Sequence, residues 1–311
     1  MKILFTGASS FTGYWFVKTL AEAGHEVICP LRGSLEQYGG VRRQRVEKLP
    51  SLCRLVPETP FGSEAFFRLI CEGGSWDLFC HHATESANYR SPDFDVQRAL
   101  QNNTQNLCAV IGALKADGLK GVVLTGSVFE NDEGAGEEPL RAFSGYGLSK
   151  GLTWQMFRHF CREARLPLGK FVIPNPFGPF EEQRFTAYLM RSWKDGKPAG
   201  VKTPDYVRDN IHVDLLAAVY VKFAGQIPDL RDGLARINPS GYIEKQGDFA
   251  RRLAQEMKPR LGWACDLDLQ RQEDFSEPLR RVNLDPAASM IPAWDESAAW
   301  DAFASFYAPQ P

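Results

Sequence analysis

The chain has no long apolar run. No stretch approaches the ~18 consecutive apolar residues read as a membrane span, and Lys2-Ile3-Leu4-Phe5 gives way to Thr6-Gly7 before it could form the core of a secretory leader. It has no charge excess: 36 Lys and Arg stand against 38 Asp and Glu, a formal net charge of −2. Nothing in that balance marks a nucleic-acid surface. It has no paired cysteines. The seven present (Cys29, Cys53, Cys71, Cys80, Cys108, Cys161, Cys265) are scattered, with no Cys-x-x-Cys. That pattern fits reduced thiols in a cytoplasm better than a disulfide framework or a zinc site. Repeats and low-complexity tracts are absent as well. What remains is 311 residues, 44% hydrophobic and 24% charged, an ordinary globular composition. The length allows one large domain or two closely joined ones. A cytoplasmic protein acting on a small molecule is expected, with no nucleic-acid or membrane partner.

The start of the chain carries the first specific signal. Lys2-Ile3-Leu4-Phe5 reads as a short buried strand, Thr6-Gly7-Ala8-Ser9-Ser10-Phe11-Thr12-Gly13 follows, and a helical run from Tyr14 to Ala23 ends at Gly24. Strand, glycine loop and helix form the setting of a dinucleotide-binding loop. Gly7 would permit the tight turn and Gly13 the close helix packing, with the amides around Ser9, Ser10, Phe11 and Thr12 facing a pyrophosphate. The spacing is Gly-x-x-Ser-x-x-Gly, with Ser10 at the middle glycine position. Glu26 to Leu31 reads as the second strand. An acid at this strand end binds the adenosine ribose of NAD, whereas an arginine nearby accommodates the 2′-phosphate of NADP. Leu31 stands at the acid's position and Arg32-Gly33-Ser34 follows, so Arg32 and Ser34 are expected to favour NADP over NAD. Arg42 and Arg43 read equally well as surface charges.

Strand and helix signals then alternate. A third strand lies near Cys53 to Val56, a helix spans Ser63 to Glu72, and a fourth strand runs from Asp77 to Ala83. His81 and His82 point to opposite faces of that strand and have no carboxylate or cysteine partner at ligand spacing, so both read as packing and no metal site is expected. Phe94 to Ala116 reads as one long helix. Lys120 to Leu124 reads as a fifth strand leading into Thr125-Gly126-Ser127, hydroxyls at the strand end where open α/β sheets bind ligands. Ser144-Gly-Tyr-Gly-Leu-Ser-Lys150 opens the next helix and sets Tyr146 and Lys150 four apart on one face. A tyrosine titrates near ~10, and a fixed positive charge is expected to lower that value. The pair could then take a proton from a hydroxyl or return one to a carbonyl. Gly169 to Ile173 is the sixth strand, ended by Pro174 to Pro179, and the alternation loosens beyond it.

Together these pieces resemble the extended short-chain dehydrogenases/reductases, the NAD-dependent epimerase/dehydratase family, over most of the chain to about residue 240. The resemblance rests on Thr6, Gly7 and Gly13; Asp77, His81 and Ala83; Asn103; Thr125 ahead of Val128-Phe129-Glu130; Tyr146 and Lys150; Asn175, Gly178 and Pro179; and Arg208 to Asp214. It implies an α/β fold, a Rossmann-type doubly wound parallel sheet over 1–174 with a return of the chain at about 205–240. Segments 175–204 and 241–311 would form a smaller mixed substrate-binding subdomain. Tyr146 would be the general acid/base. Lys150 would hold the nicotinamide ribose and lower the phenol's pKa. Thr125, or else Ser127, would bond the reacting oxygen. His81, Ala83 and Asn103 would belong to the cofactor side, Asn175 and Arg208 would contact the diphosphate of a nucleotide-sugar, and His212 and Asp214 would be structural. Dehydratases of this group place Asp-Glu after the catalytic threonine, where this chain has Gly126-Ser127, so dehydration ranks last. Arg32 leans the reading to an NADPH-consuming 4-keto-sugar reductase. A 4-epimerase that retains NAD is the alternative, and a non-catalytic dinucleotide-binding sensor or scaffold is the reading from another class. The resemblance also implies a homodimer through the helices near 94–116 and 144–164.

Overall fold

In the computed structural model, which describes residues 1–230, 233–273 and 275–308, the six expected strands and a seventh, Leu234–Ile237, assemble into one sheet. Its order is Leu234–Ile237, Leu168–Ile173, Gly121–Ser127, Leu78–His81, Lys2–Thr6, Glu26–Pro30, Arg54–Val56, and every pairing is parallel. From Lys2–Thr6 the chain steps outward in one direction to Arg54–Val56, then returns to Leu78–His81 on the other side. That reversal opens a crevice over the carboxyl ends of the two central strands. The register fixes what meets there. Thr6 lies beside His81 and His81 beside Leu124, so Gly7, His82 and Thr125 leave the sheet side by side.

Both faces of the sheet are covered, which is why its strands read as apolar runs. Alternation sends Ile3, Phe5, Cys80, Val123 and Phe171 to one face and Leu4, Phe79, Val122 and Leu124 to the other. The first set packs on helices Phe11–Glu22 and Val213–Gln226, where Phe16 stacks on Tyr220 with ring centroids 4.0 Å apart. The second set packs on helices Glu64–Gly73, Leu107–Ala116 and Gly145–Glu163. Each buried leucine or phenylalanine contributes about 1.5–3 kcal/mol of transfer free energy, so this double layer holds the crevice floor rigid.

Two expectations need correction. The run Phe94 to Ala116 is not one helix but two, Val96–Thr104 and Leu107–Ala116. Asn106 breaks it in the left-handed region, φ 52°, a conformation asparagine tolerates better than most residues. Its side-chain amide donates to the Gly62 carbonyl at 2.8 Å. The apolar spacing continues across the break, so periodicity alone does not reveal it. The fifth strand also continues through Thr125 and Gly126 to Ser127.

Beyond residue 174 a second, mixed unit forms. Strand Val207–His212 runs parallel to Asn175–Phe177 and antiparallel to Tyr242–Lys245. Helices Phe185–Lys194, Gln246–Leu261 and Glu296–Tyr307 close around Phe177, Phe249, Trp300 and Phe303. Between these pieces the chain returns to the large sheet, as helix Val213–Gln226 and strand Leu234–Ile237.

Candidate active site

The glycine loop is shaped by close approach. Gly7 has φ +87°, and a Cβ there would sit 2.7 Å from the Ala83 nitrogen. A Cβ on Gly13 would sit 2.2 Å from the Gly7 carbonyl. Ser10 caps the helix that follows: its hydroxyl donates to the Gly7 carbonyl at 2.9 Å and accepts the Gly13 amide at 3.1 Å. Ser10 thus satisfies one of the first-turn donors that every helix start leaves over. The amides of Phe11 and Thr12, also in that first turn, point the positive end of the helix at the crevice. This donor set fits a dinucleotide pyrophosphate.

At the other end of the crevice, helix Gly145–Glu163 begins at Ser144, whose hydroxyl accepts the Gly147 amide at 3.0 Å. Gly147 is required by contact, since a Cβ there would lie 2.1 Å from the Phe129 carbonyl. The helix start is thereby pressed against the strand end, with Tyr146 in its first turn and Lys150 one turn later. The half-buried Tyr146 ring lies edge-on to Tyr89, Phe94 and Phe129, with centroids 5.7, 6.1 and 6.2 Å away. Lys150 is buried and donates to the Thr125 carbonyl. Burial lowers its pKa to about 8, Glu130 opposing and Lys170 reinforcing the shift. The phenol does not follow the sequence expectation. Burial pushes its pKa up, and the Glu130 carboxylate pushes it further. Lys150 therefore does not make Tyr146 a phenolate: its ammonium is held on the Thr125 carbonyl, and desolvation sets the direction of the phenol's shift.

Sequence reasoning missed the charges beneath this pair. Glu130 is fully buried. It accepts the Ser127 amide at 2.7 Å and pairs with Lys170 at 2.6 Å. Lys170 also pairs with Glu133 at 2.6 Å, and Glu133 accepts from Asn238 at 2.9 Å. The available signals were a lysine inside the apolar strand Leu168–Ile173 and a glycine, Gly126, in the neighbouring strand. A Cβ on Gly126 would lie 2.8 Å from the Lys170 side chain.

The remaining candidates divide. Ser9 is held by two arginines: Arg42 donates to its hydroxyl at 2.7 and 3.1 Å, and Arg45 to its carbonyl at 3.0 Å. Arg42 lies over the Tyr38 ring at 5.1 Å, while the buried Arg45 is neutralised by Glu182. Arg32 is exposed and paired with Glu85 at 3.3 Å, and Ser34 opens a short turn at Leu35–Gln37. Thr125 and Ser127 are both buried at the strand end. Ala83 donates its amide to Thr6 Oγ1 at 3.2 Å. The His81 ring is enclosed by Phe61 and Phe157 and its Nδ1 meets Thr6 at 3.1 Å, so its side chain packs in the core, as its strand position suggested. Asn103 is a brace, accepting the Glu85 amide at 2.9 Å and donating to Thr84 and Thr153. Asn175 is half-buried on its short strand. Arg208 is engaged within its own subdomain, with Glu277 at 2.7 Å and three backbone carbonyls as partners. His212 packs between Phe177 and Trp300, and Asp214 accepts from Trp294 at 3.2 Å. Among the described residues no cluster suited to a metal ion and no membrane-spanning helix occurs.

The sequence model of the NAD dependent epimerase/dehydratase family matches residues 3–231. Three solved structures illustrate the likeness in fold. UDP-glucuronic acid 4-epimerase from Bacillus cereus is 17% identical, with 99% of each chain covered and a TM-score of 0.75. UDP-glucose 4-epimerase from Thermus thermophilus is 19% identical, with 99% of each covered and a TM-score of 0.71. DesIV, a dTDP-glucose 4,6-dehydratase from Streptomyces venezuelae, is 17% identical, covering 99% of this chain and 97% of its own, with a TM-score of 0.73. All three were solved with NAD. None of the curated proteins matches this chain in sequence.

Proposed function

Because the chain belongs to the NAD dependent epimerase/dehydratase family, an NAD(P)-dependent enzyme family of the extended short-chain type, we propose that it reduces a keto group on a nucleotide-sugar and draws on NADPH. The bound cofactor would supply the hydride. The protein's part is to hold the sugar oxygen and give it a proton. Tyr146 is the donor: burial and Glu130 keep its phenol protonated, which is the form a reduction needs at the start. Lys150 keeps a positive charge below pH about 8, one turn from the phenol, where it favours the phenolate left after proton transfer. Thr125 and Ser127 offer hydroxyls at the same strand end. Segments 175–204 and 241–311 would receive the nucleotide-sugar, with Asn175 beside its diphosphate. Arg208 would reach it only by leaving Glu277.

One observation supports the reductase reading: the second strand leads at the adenosine side into a leucine where the acid would stand, and the exposed Arg42 nearby leaves cationic capacity. Leu31 is buried where a carboxylate would bond the ribose of NAD. The exposed Arg42 sits on the Ser9 hydroxyl with no carboxylate partner among the described residues, and its planar fork suits a phosphate. Arg32 and Ser34 border the same strand end. The alternative, a 4-epimerase that retains NAD, draws support from the names of the structural neighbours. A sensor or scaffold would have no use for the buried Lys150 and its supporting carboxylate. We also infer a homodimer, supported by Leu148 and Leu152, which stand exposed four residues apart on helix Gly145–Glu163. Light scattering at micromolar concentration should return twice the chain mass; a monomeric mass would refute it. For the reaction itself, the purified protein is mixed with NADPH and a panel of 4-keto nucleotide-sugars. Loss of NADPH absorbance with one of them is expected. Tightly bound NAD together with interconversion of 4-epimers would favour the epimerase.

A further inference from the structure

His82 lies where three parts of the site meet. It follows the strand Leu78–His81 and is 7% exposed. Its ring is gripped by Phe5, stacked at 5.7 Å, and Phe16, edge-on at 5.3 Å. Its Nε2 lies 3.0 Å from the Ser10 hydroxyl and 3.1 Å from that of Thr12, both in the glycine loop. Its Nδ1 lies 3.0 Å from the Thr125 hydroxyl. One imidazole thus connects the cofactor loop to a hydroxyl at the reacting end.

The hydrogen-bond directions follow from counting protons. Ser10 has a single hydroxyl proton, and it goes to the Gly7 carbonyl, which can only accept. Toward His82, Ser10 can therefore only accept, so Nε2 must carry a proton. Burial, with Lys150 and His81 adding repulsion, holds the imidazole neutral, its pKa depressed to about 3. A neutral ring protonated at Nε2 is bare at Nδ1 and accepts there. Thr125 must then donate its own proton downward to His82. The buried Tyr220 hydroxyl lies toward Thr125 and Cys80 without a hydrogen bond of ordinary geometry among the described residues, whereas Thr125 and His82 Nδ1 stand 3.0 Å apart. Ser127 differs: its oxygen accepts the Phe129 amide at 3.2 Å, which leaves its proton free.

We propose that His82 is a positioning residue that ties the Thr125 hydroxyl to the cofactor loop, so that the hydrogen bond donated to the reacting oxygen comes from Ser127. This rests on the nucleotide-sugar reading only for its kinetic consequence. The direction of the hydrogen bonds stands apart from any substrate.

Two measurements test it. The full-length protein, labelled with 15N at its five histidines, gives tautomers directly from long-range proton–nitrogen spectra. His82 is assigned by the loss of its signals in His82→Gln or, should that variant not fold, by its shift in Thr125→Val. The wild type should show Nε2–H with a bare Nδ1. The pair Ser10→Ala/Thr12→Val removes both acceptors and should convert His82 to Nδ1–H. An Nδ1–H wild type, or a double variant that keeps Nε2–H, overturns the proposal. In NADPH oxidation by a UDP-4-keto-sugar, Ser127→Ala should lower kcat at least ~10-fold further than Thr125→Val, within the range of a lost proton-transfer partner. An equal or larger loss for Thr125→Val overturns it too. If no keto-sugar is reduced, the functional reading fails, while the tautomer still decides this one.

Discussion

At the glycine loop the deciding positions have no side chain. Gly7 and Gly13 let backbone meet backbone, helix amides face outward, and the nearby cations Arg32 and Arg42 are exposed. Around Tyr146 the opposite holds. Lys150, Lys170, Glu130 and Glu133 are all buried, and each is matched by a partner of known geometry. The loop end can exchange partners with a ligand at little cost, because exposed ion pairs are worth only about 0–1 kcal/mol. The reacting end cannot, because an uncompensated buried charge is expensive. One end is built to bind and release, the other to hold a proton at a fixed place.

The contrast breaks most visibly at Lys170. Lys170→Met would leave the buried Glu130 without its cation and Glu133 with only the longer pair to Arg236 at 3.5 Å, and stability should fall by about 3–5 kcal/mol. Chemical denaturation measures this, and Arg32→Ala, the exposed counterpart, should cost under about 1 kcal/mol. A similar loss for both would mean that the buried network is not special.

Tyr146→Phe removes the proposed proton donor and keeps the ring in its aromatic surround. Turnover should drop at least ~10²-fold with dinucleotide affinity nearly unchanged. Retention of most activity would remove Tyr146 from its assigned role.

The pH dependence sharpens the same comparison. The Lys150 pKa is lowered to about 8 in the folded chain, against ~10.4 when unfolded. Below about 8 the ammonium is present and activity should be level. Above it, activity should decline as the charge is lost. Between those two values the unfolded chain binds more protons than the folded one, so this group's contribution to stability rises with pH. Activity and stability should thus move in opposite directions over that window, and Lys150→Arg, which cannot deprotonate there, should abolish the activity limb. Parallel curves would contradict the assignment.

The two regions also differ in how far the sequence revealed them. The loop was legible because backbone demands leave marks: Gly7 and Gly13 stand where no Cβ fits, and Ser10 stands at a helix cap. The six expected strands were legible as short apolar runs alternating with helical ones, and the parallel sheet as what the family resemblance implied. Tyr146 and Lys150 were legible from their spacing, but the direction of the phenol's shift was not, because it depends first on burial and then on Glu130, sixteen residues earlier in the chain. Glu130 and Lys170 are forty residues apart in sequence and meet only across the sheet. Arg42 read equally well as a surface charge because nothing local shows that its helix leans on Ser9, and Arg45 went unnoticed for the same reason. The bend at Asn106 was hidden because its cause, the Gly62 carbonyl, is distant in sequence.

The most direct test is a calorimetric titration of NADP and NAD against the wild type, Arg42→Ala and Arg32→Ala. The account predicts tighter binding of NADP than of NAD by the wild type. Arg42→Ala should weaken NADP by about 1.5–3 kcal/mol, the range for a hydrogen bond to a charged group, and leave NAD nearly unchanged. Arg32→Ala should have the smaller effect. Equal affinity for the two dinucleotides, or tighter binding of NAD, would contradict the reductase reading and leave the NAD-retaining epimerase in its place.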